Sequence, residues 1–172
     1  MTRSWFMMVA AMASLALGAG PAAAAVSDAC QPVVDALTKL KKTPYHLFMT
    51  GSEGANAGQP KKMESISVGG KLYINAHGRW ITSPVGVDEA DDDVLADLSD
   101  CKFLRDDADG ALYAVHQKTE DFTSDGQIWI AKASGLPVRQ EVDLDVGEGA
   151  VGKSHSSIRF DYTDVAPPAA VK

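Results

Sequence analysis

Val138-Arg139-Gln140-Glu141-Val142-Asp143-Leu144-Asp145 decides the fold. Val138, Gln140, Val142 and Leu144 alternate with Arg139, Glu141, Asp143 and Asp145, a period of two that suits a strand and not a helix. Ile158, Phe160 and Tyr162 alternate with Arg159, Asp161 and Thr163 in the same way. One face of each run is apolar and the other charged, as expected of an antiparallel sheet with one wet side.

Working back from this pair, Gln127 to Lys132 reads as a strand that turns at Ser134-Gly135, and Ala111 to Thr119 as another. Leu104 leads into the turn Asp106-Asp107-Ala108-Asp109-Gly110. Further towards the N-terminus, Tyr45 to Thr50, Lys61 to Val68, Leu72 to Ala76 and Arg79 to Thr82 are strands. Gly51 to Pro60 is a loop, and Gly69-Gly70 and His77-Gly78 are tight turns. Turns this short join antiparallel neighbours only.

Two amphipathic helices are expected. The first is capped by Ser27 or Asp28, tolerates Pro32 in its first turn, carries Cys30, Val33, Val34, Leu37 and Leu40 on one stripe, and stops at Pro44. The second starts among Asp88, Glu89 and Asp91 to Asp93, with Val87, Val94, Leu95 and Leu98 as its stripe, and Cys101 follows it directly. A sheet of about eight or nine strands must cover its apolar side, and these helices are the covers available. The expected fold is therefore α+β: a strongly curved antiparallel half-barrel sheet wrapped around two helices.

Residues 1–25 carry Arg3, an apolar run from Trp5 to Leu17, the breakers Gly18, Gly20 and Pro21, and a small-residue site at Ala22 to Ala25. That is the anatomy of a signal peptide, too short to serve as a comfortable membrane span. The expected organisation is a leader over 1–25, one domain over 26–165 and a tail over 166–172, in a periplasmic protein. The chain has 16 Lys and Arg against 23 Asp and Glu, net −7, and losing Arg3 makes it more acidic. This argues against nucleic acid and anionic lipid headgroups as partners. In an oxidising compartment Cys30 and Cys101 are expected to pair, closing a loop of about 70 residues that is worth about 4 kcal/mol. Asp28, two residues before Cys30, argues against a lipidated cysteine.

Catalytic patterns are missing from the sequence. His46, His77, His116 and His155 are scattered over different elements, with no H-x-x-x-H pair. Ser154, Ser156 and Ser157 sit in no nucleophile elbow. The acidic run Asp88 to Asp100 and Asp107-Ala108-Asp109-Gly110 lack the spacing of a calcium loop and read as a helix start and a hairpin turn. No metal, cofactor or enzymatic activity is expected. Trp80, Trp129, Met49, Met63, Phe48 and Phe103 suit either a core or an adaptable apolar pocket.

The run Trp129-Ile130-Ala131-Lys132-Ala133-Ser134-Gly135-Leu136-Pro137-Val138-Arg139-Gln140-Glu141 resembles a recurring segment of the LolA/LolB-like lipoprotein-carrier superfamily. Phe160-Asp161-Tyr162-Thr163-Asp164-Val165 before Pro167 resembles the final strand of those proteins. The resemblance implies an incomplete barrel with helices as a lid over an apolar cavity, and an acyl chain or other lipid as cargo. The alternation and the resemblance together put Met49, Val138, Val142, Leu144, Ile158, Phe160 and Tyr162 on the expected ligand side. The alternative is an envelope protein-interaction or regulatory module whose core is filled by its own side chains.

Overall fold

A computed structural model describes residues 27–53, 61–84, 98–119, 122–146 and 153–171. The leader and the segment expected to form most of the second helix lie outside these residues. The described chain opens with a 3-10 turn, Asp28–Cys30, and one helix, α1, Gln31–Lys41. Nine strands follow: β1 Tyr45–Glu53, β2 Lys61–Val68, β3 Lys71–Ala76, β4 Arg79–Thr82, β5 Leu98–Asp106, β6 Ala111–Lys118, β7 Thr123–Ile130, β8 Pro137–Asp145 and β9 Lys153–Asp161.

All nine belong to one antiparallel sheet in the order β4-β3-β2-β1-β9-β8-β7-β6-β5. The sheet is thus two meanders, β1 to β4 and β5 to β9, joined where the first strand pairs with the last. The chain leaves one edge at β4 and re-enters at the opposite edge with β5. The tail returns to the β4 edge, where Val171 makes a parallel bridge with Trp80.

Register fixes the faces. Phe103, Tyr113, Ile128, Gln140, Ile158, Met49 and Met63 lie on one rung that crosses seven strands. The 3-10 turn and α1 pack on this face, against β5 and against β7 and β8 respectively. Cys30, Val33, Ala36, Leu98, Cys101, Ile128 and Ile130 form the core beneath, with Val34, Leu37, Tyr113 and Val115 at its margin. Burying each of the larger aliphatic side chains is worth about 1.5–3 kcal/mol. Lys39, in the last turn of α1, reaches the Ser134 carbonyl and ties the helix to the β7–β8 turn.

Three expectations about this region need correction. Leu98 is not on a helix: it begins β5, where its apolar side chain serves the core equally well from a strand. Cys101 therefore lies within β5, and the Cys30–Cys101 disulfide, Cα–Cα 4.9 Å, ties the N-terminal turn to an edge strand and not to a second helix. Neither Ser27 nor Asp28 caps α1 with its side chain: a 3-10 turn intervenes, and the Cys30 amide donates to the Ser27 carbonyl. Pro32 does sit in the first turn, where its missing N–H costs nothing.

Two glycines are dictated by geometry. Gly110 has φ +146°, and a Cβ there would lie 2.2 Å from the Ile130 carbonyl oxygen, so the β5–β6 hairpin can close against β7 only with glycine. At the β3–β4 turn His77 and Gly78 both have positive φ, 54° and 80°, the twist a two-residue hairpin requires.

Candidate functional site

Small residues open space on the helix-bearing face. Gly126 is opposite both Val115 and Val142, and Val142 is opposite Ser156, which is opposite Gly51. Ser124, Leu144 and Ser154 make the adjacent inward rung. Where α1 covers this region, a cavity of about 200 Å³ remains, lined by Val33, Leu37, Leu98, Val115, Ile128 and Val142, with Gln117, Ser124 and Gln140 among its polar walls. Beyond the helix the face continues as an open cleft of about 820 Å³ over β1, β2, β3 and β9. Met49, Met63, Ile74 and Ala76 give it an apolar floor, Gly51, Ser154 and Ser156 give it depth, and Lys61 and Lys62 stand at its rim.

The residues expected on the ligand side share this face. Met49 pairs with Ile158, Ile158 with Gln140, Val142 with Ser156 and Leu144 with Ser154. Met49 lines the open cleft and Val142 the covered cavity. Phe160 is buried and packs edge-on to Tyr45 at 5.7 Å, with Tyr162 stacked beyond it at 6.5 Å. Tyr162 lies one residue past β9, where its hydroxyl donates to the Pro137 carbonyl, and burial pushes its pKa above the usual 10.0. Val138 is half-buried on β8. Phe160 and Tyr162 therefore brace the β8–β9 end of the face, while Met49 and Val142 border open space.

Gly51, Ile74, Ser154 and Ser156 also line the cleft. Gly51, Ser154 and Ser156 are small residues at inward positions near the paired ends of β1 and β9, a signal that matters only once those strands are known to be neighbours.

The opposite face carries a different constellation. Asp100, His116, Asp125, Asp143 and His155 occupy one rung across β5 to β9. The histidines scattered in sequence are thus partly gathered. His116 Nδ1 meets Asp125 at 2.8 Å, and His155 Nδ1 meets Asp143 at 2.8 Å. Directly opposed Asp125 and Asp143 repel, and the flanking imidazoles offset this when protonated. Ser157 of the same network donates to Glu141, not to a histidine, so no nucleophile–base pair forms there. Among the described residues no group of three or more His, Cys, Asp or Glu is placed to hold a metal ion.

Two further contacts fix the ends of the sheet. The Trp129 indole donates to Asp107 at 2.8 Å under the Arg139 guanidinium, 4.6 Å from the ring centre. That indole bond holds the Asp107 carboxyl below its ordinary value, helped by the amides of Asp109 and Gly110. His46 meets Glu64 at 2.6 Å, and Asn75 donates to the same carboxylate at 3.0 Å.

No protein-family model and no curated protein sequence matches the chain. Among solved structures it is similar to LprF from Mycobacterium bovis at 10% identity, over 83% of this chain and 97% of that one, with a TM-score of 0.42. The antiparallel sheet carrying a helix on one face is, from its own topology, consistent with the half-barrel that the sequence resemblance implies. No helix among the described residues is long and apolar enough to cross a membrane.

Proposed function

We propose that this is an exported, non-enzymatic binding protein that takes an acyl chain or similar hydrophobe on the helix-bearing face of its sheet. One observation carries the reading. The rung that α1 covers at Ile128 passes Gln140 and Ile158 and continues past the helix to Met49 and Met63, which help floor an open cleft of about 820 Å³. Pockets of this size and lining suit drug-sized or lipid-sized apolar ligands. Val142 and Leu144 would extend the contact towards the helix, with Val138, Ile158, Phe160 and Tyr162 shaping its wall. The leader-like N-terminus supports a periplasmic location.

Native mass spectrometry of protein purified from the periplasm without detergent tests this. A co-purified mass in the lipid range is expected, together with saturable binding of a fluorescent fatty acid that Val142→Trp weakens. A clean apo mass with no fatty-acid binding would replace the reading with an envelope interaction module. Crosslinked partners from periplasmic extract would then be the next thing to seek.

A further inference from the structure

Asp161, His46, Ile66, Tyr73 and Thr82 lie on one rung that crosses β9, β1, β2, β3 and β4. Successive side chains on a strand point to opposite faces. The adjacent rung of Phe160, Leu47, Ser65 and Ile74 is on the helix-bearing face, so this one is on the face away from α1. Ile66 and Tyr73 at its centre are nevertheless 7% and 8% exposed. Something covers this pair, and it is not α1, which packs against β7 and β8 on the other face.

The chain leaves β9 at Asp161, where that rung begins. It turns at once: the Thr163 amide donates to the Asp161 carboxylate at 2.9 Å, and Asp164 has φ 47°. The bond to Asp161 sets the turn on the outer face. Ten residue steps from Asp161, Val171 bridges Trp80 at the β4 edge, two positions from Thr82. Those steps reach at most about 35 Å when fully extended. Crossing from β9 to the far side of β4 takes five strand spacings, about 24 Å. The direct line runs over Ile66 and Tyr73, and the turn leaves little slack for a detour.

The tail has the chemistry to lie flat along that line. Pro167 and Pro168 fix their own φ and keep Ala166 and Pro167 extended. Tyr162, Val165 and Pro168 are half-buried, and every residue between them is exposed. A spacing of three is the period of a polyproline II helix, which makes no internal hydrogen bonds and can bury a single ridge. β4 is the terminal strand of the sheet, and a bare terminal strand is a template on which another chain adds. We infer that Tyr162 to Val171 form a polyproline strap laid over Ile66 and Tyr73, which guards the β4 edge against strand addition by a second copy of this chain. The strap lies on the face away from the open cleft, so it stands apart from the apolar-ligand reading.

The test keeps the chain whole. Val165→Asn with Pro168→Asn breaks the buried ridge, whereas Ala166→Asn with Ala169→Asn puts the same two side chains on the exposed sides. Hydrogen exchange is read by mass spectrometry on peptides covering β3 and β4, and self-association by sedimentation velocity over a range of concentrations. The ridge variant should exchange about tenfold faster in β3 and β4 with β6 to β8 unchanged, and should form a dimer that the parent does not. The exposed-side variant should match the parent in both measurements. Equal exchange in the two variants would overturn the strap. Faster exchange in a ridge variant that stays monomeric would overturn its guarding role.

Discussion

The two halves of the helix-bearing face are built from similar strands and end in different states. Over β5 to β8 the 3-10 turn and α1 lie on the sheet, and Val33, Leu98 and Ile128 are 1%, 4% and 2% exposed. Over β1 to β4 no described helix lies on the sheet, and Met63 and Ile81 are 37% and 41% exposed. Residue type does not explain the contrast, since both halves carry isoleucine inward. What differs is the covering element and the covalent tether that holds it. The exposure is local, however: Tyr45, Ser65 and Ser67 of the same half and face are buried, so the open part is the end carrying Met63 and Ile81.

The sharpest way to break this comparison is to remove the tether. Cys30→Ala with Cys101→Ala should lower stability by up to about 4 kcal/mol in denaturant titration, through a closed loop of 71 residues. If reductant leaves the melting curve unchanged, the covered half does not owe its order to the bridge. Next, isoleucine can be truncated in each half. Ile128→Ala should cost about 3 kcal/mol, whereas Ile81→Ala should cost below about 1 kcal/mol. Equal losses would mean the open half is packed after all. Gly110→Ala, which drives a Cβ into the Ile130 carbonyl, should cost at least about 2 kcal/mol in denaturant titration.

The smallest effects are in pH dependence. The folded state holds the Asp107 carboxyl below 3.8, so the unfolded chain takes up its proton first. Stability from this contact is present above pH 3.8 and fades as pH falls below it; Trp129→Phe should blunt that acid sensitivity. Tyr162 is shifted the other way. The unfolded chain ionises first above its ordinary 10.0, so stability falls as pH rises past that point, and Tyr162→Phe should flatten the alkaline limb of the melting curve.

The same two halves show what the sequence could convey. β2, β4 and β8 are legible because each has strict alternation or a glycine turn at its boundary, and local chemistry is enough to place them. β5 is not, because Leu98 satisfies a helical stripe with Val94 and Leu95 as readily as it starts a strand, and only the pairing of Cys101 with Val115 decides. β1 reaches Glu53, past Gly51 and into the span that reads as a loop, because β9 supplies a partner for each residue there. The cleft is harder still. Met49 and Val142 stand out as apolar residues, but the openings beside them come from Gly51, Gly126 and Ser156, whose meaning depends on which strands are neighbours.

The adjacency of β1 and β9 has a consequence for biogenesis. The last strand to be made is the one that joins the two meanders, so the sheet cannot close until almost the entire chain has been made. Cys30 and Cys101 both emerge earlier. Oxidation at that stage would hold the opening 3-10 turn against β5 while the centre of the sheet is still vacant, sparing the half-made protein a search over long sequence separations. The bridge would then act as an assembly jig before it acts as a stabiliser, and its loss would slow folding as well as weaken the finished molecule.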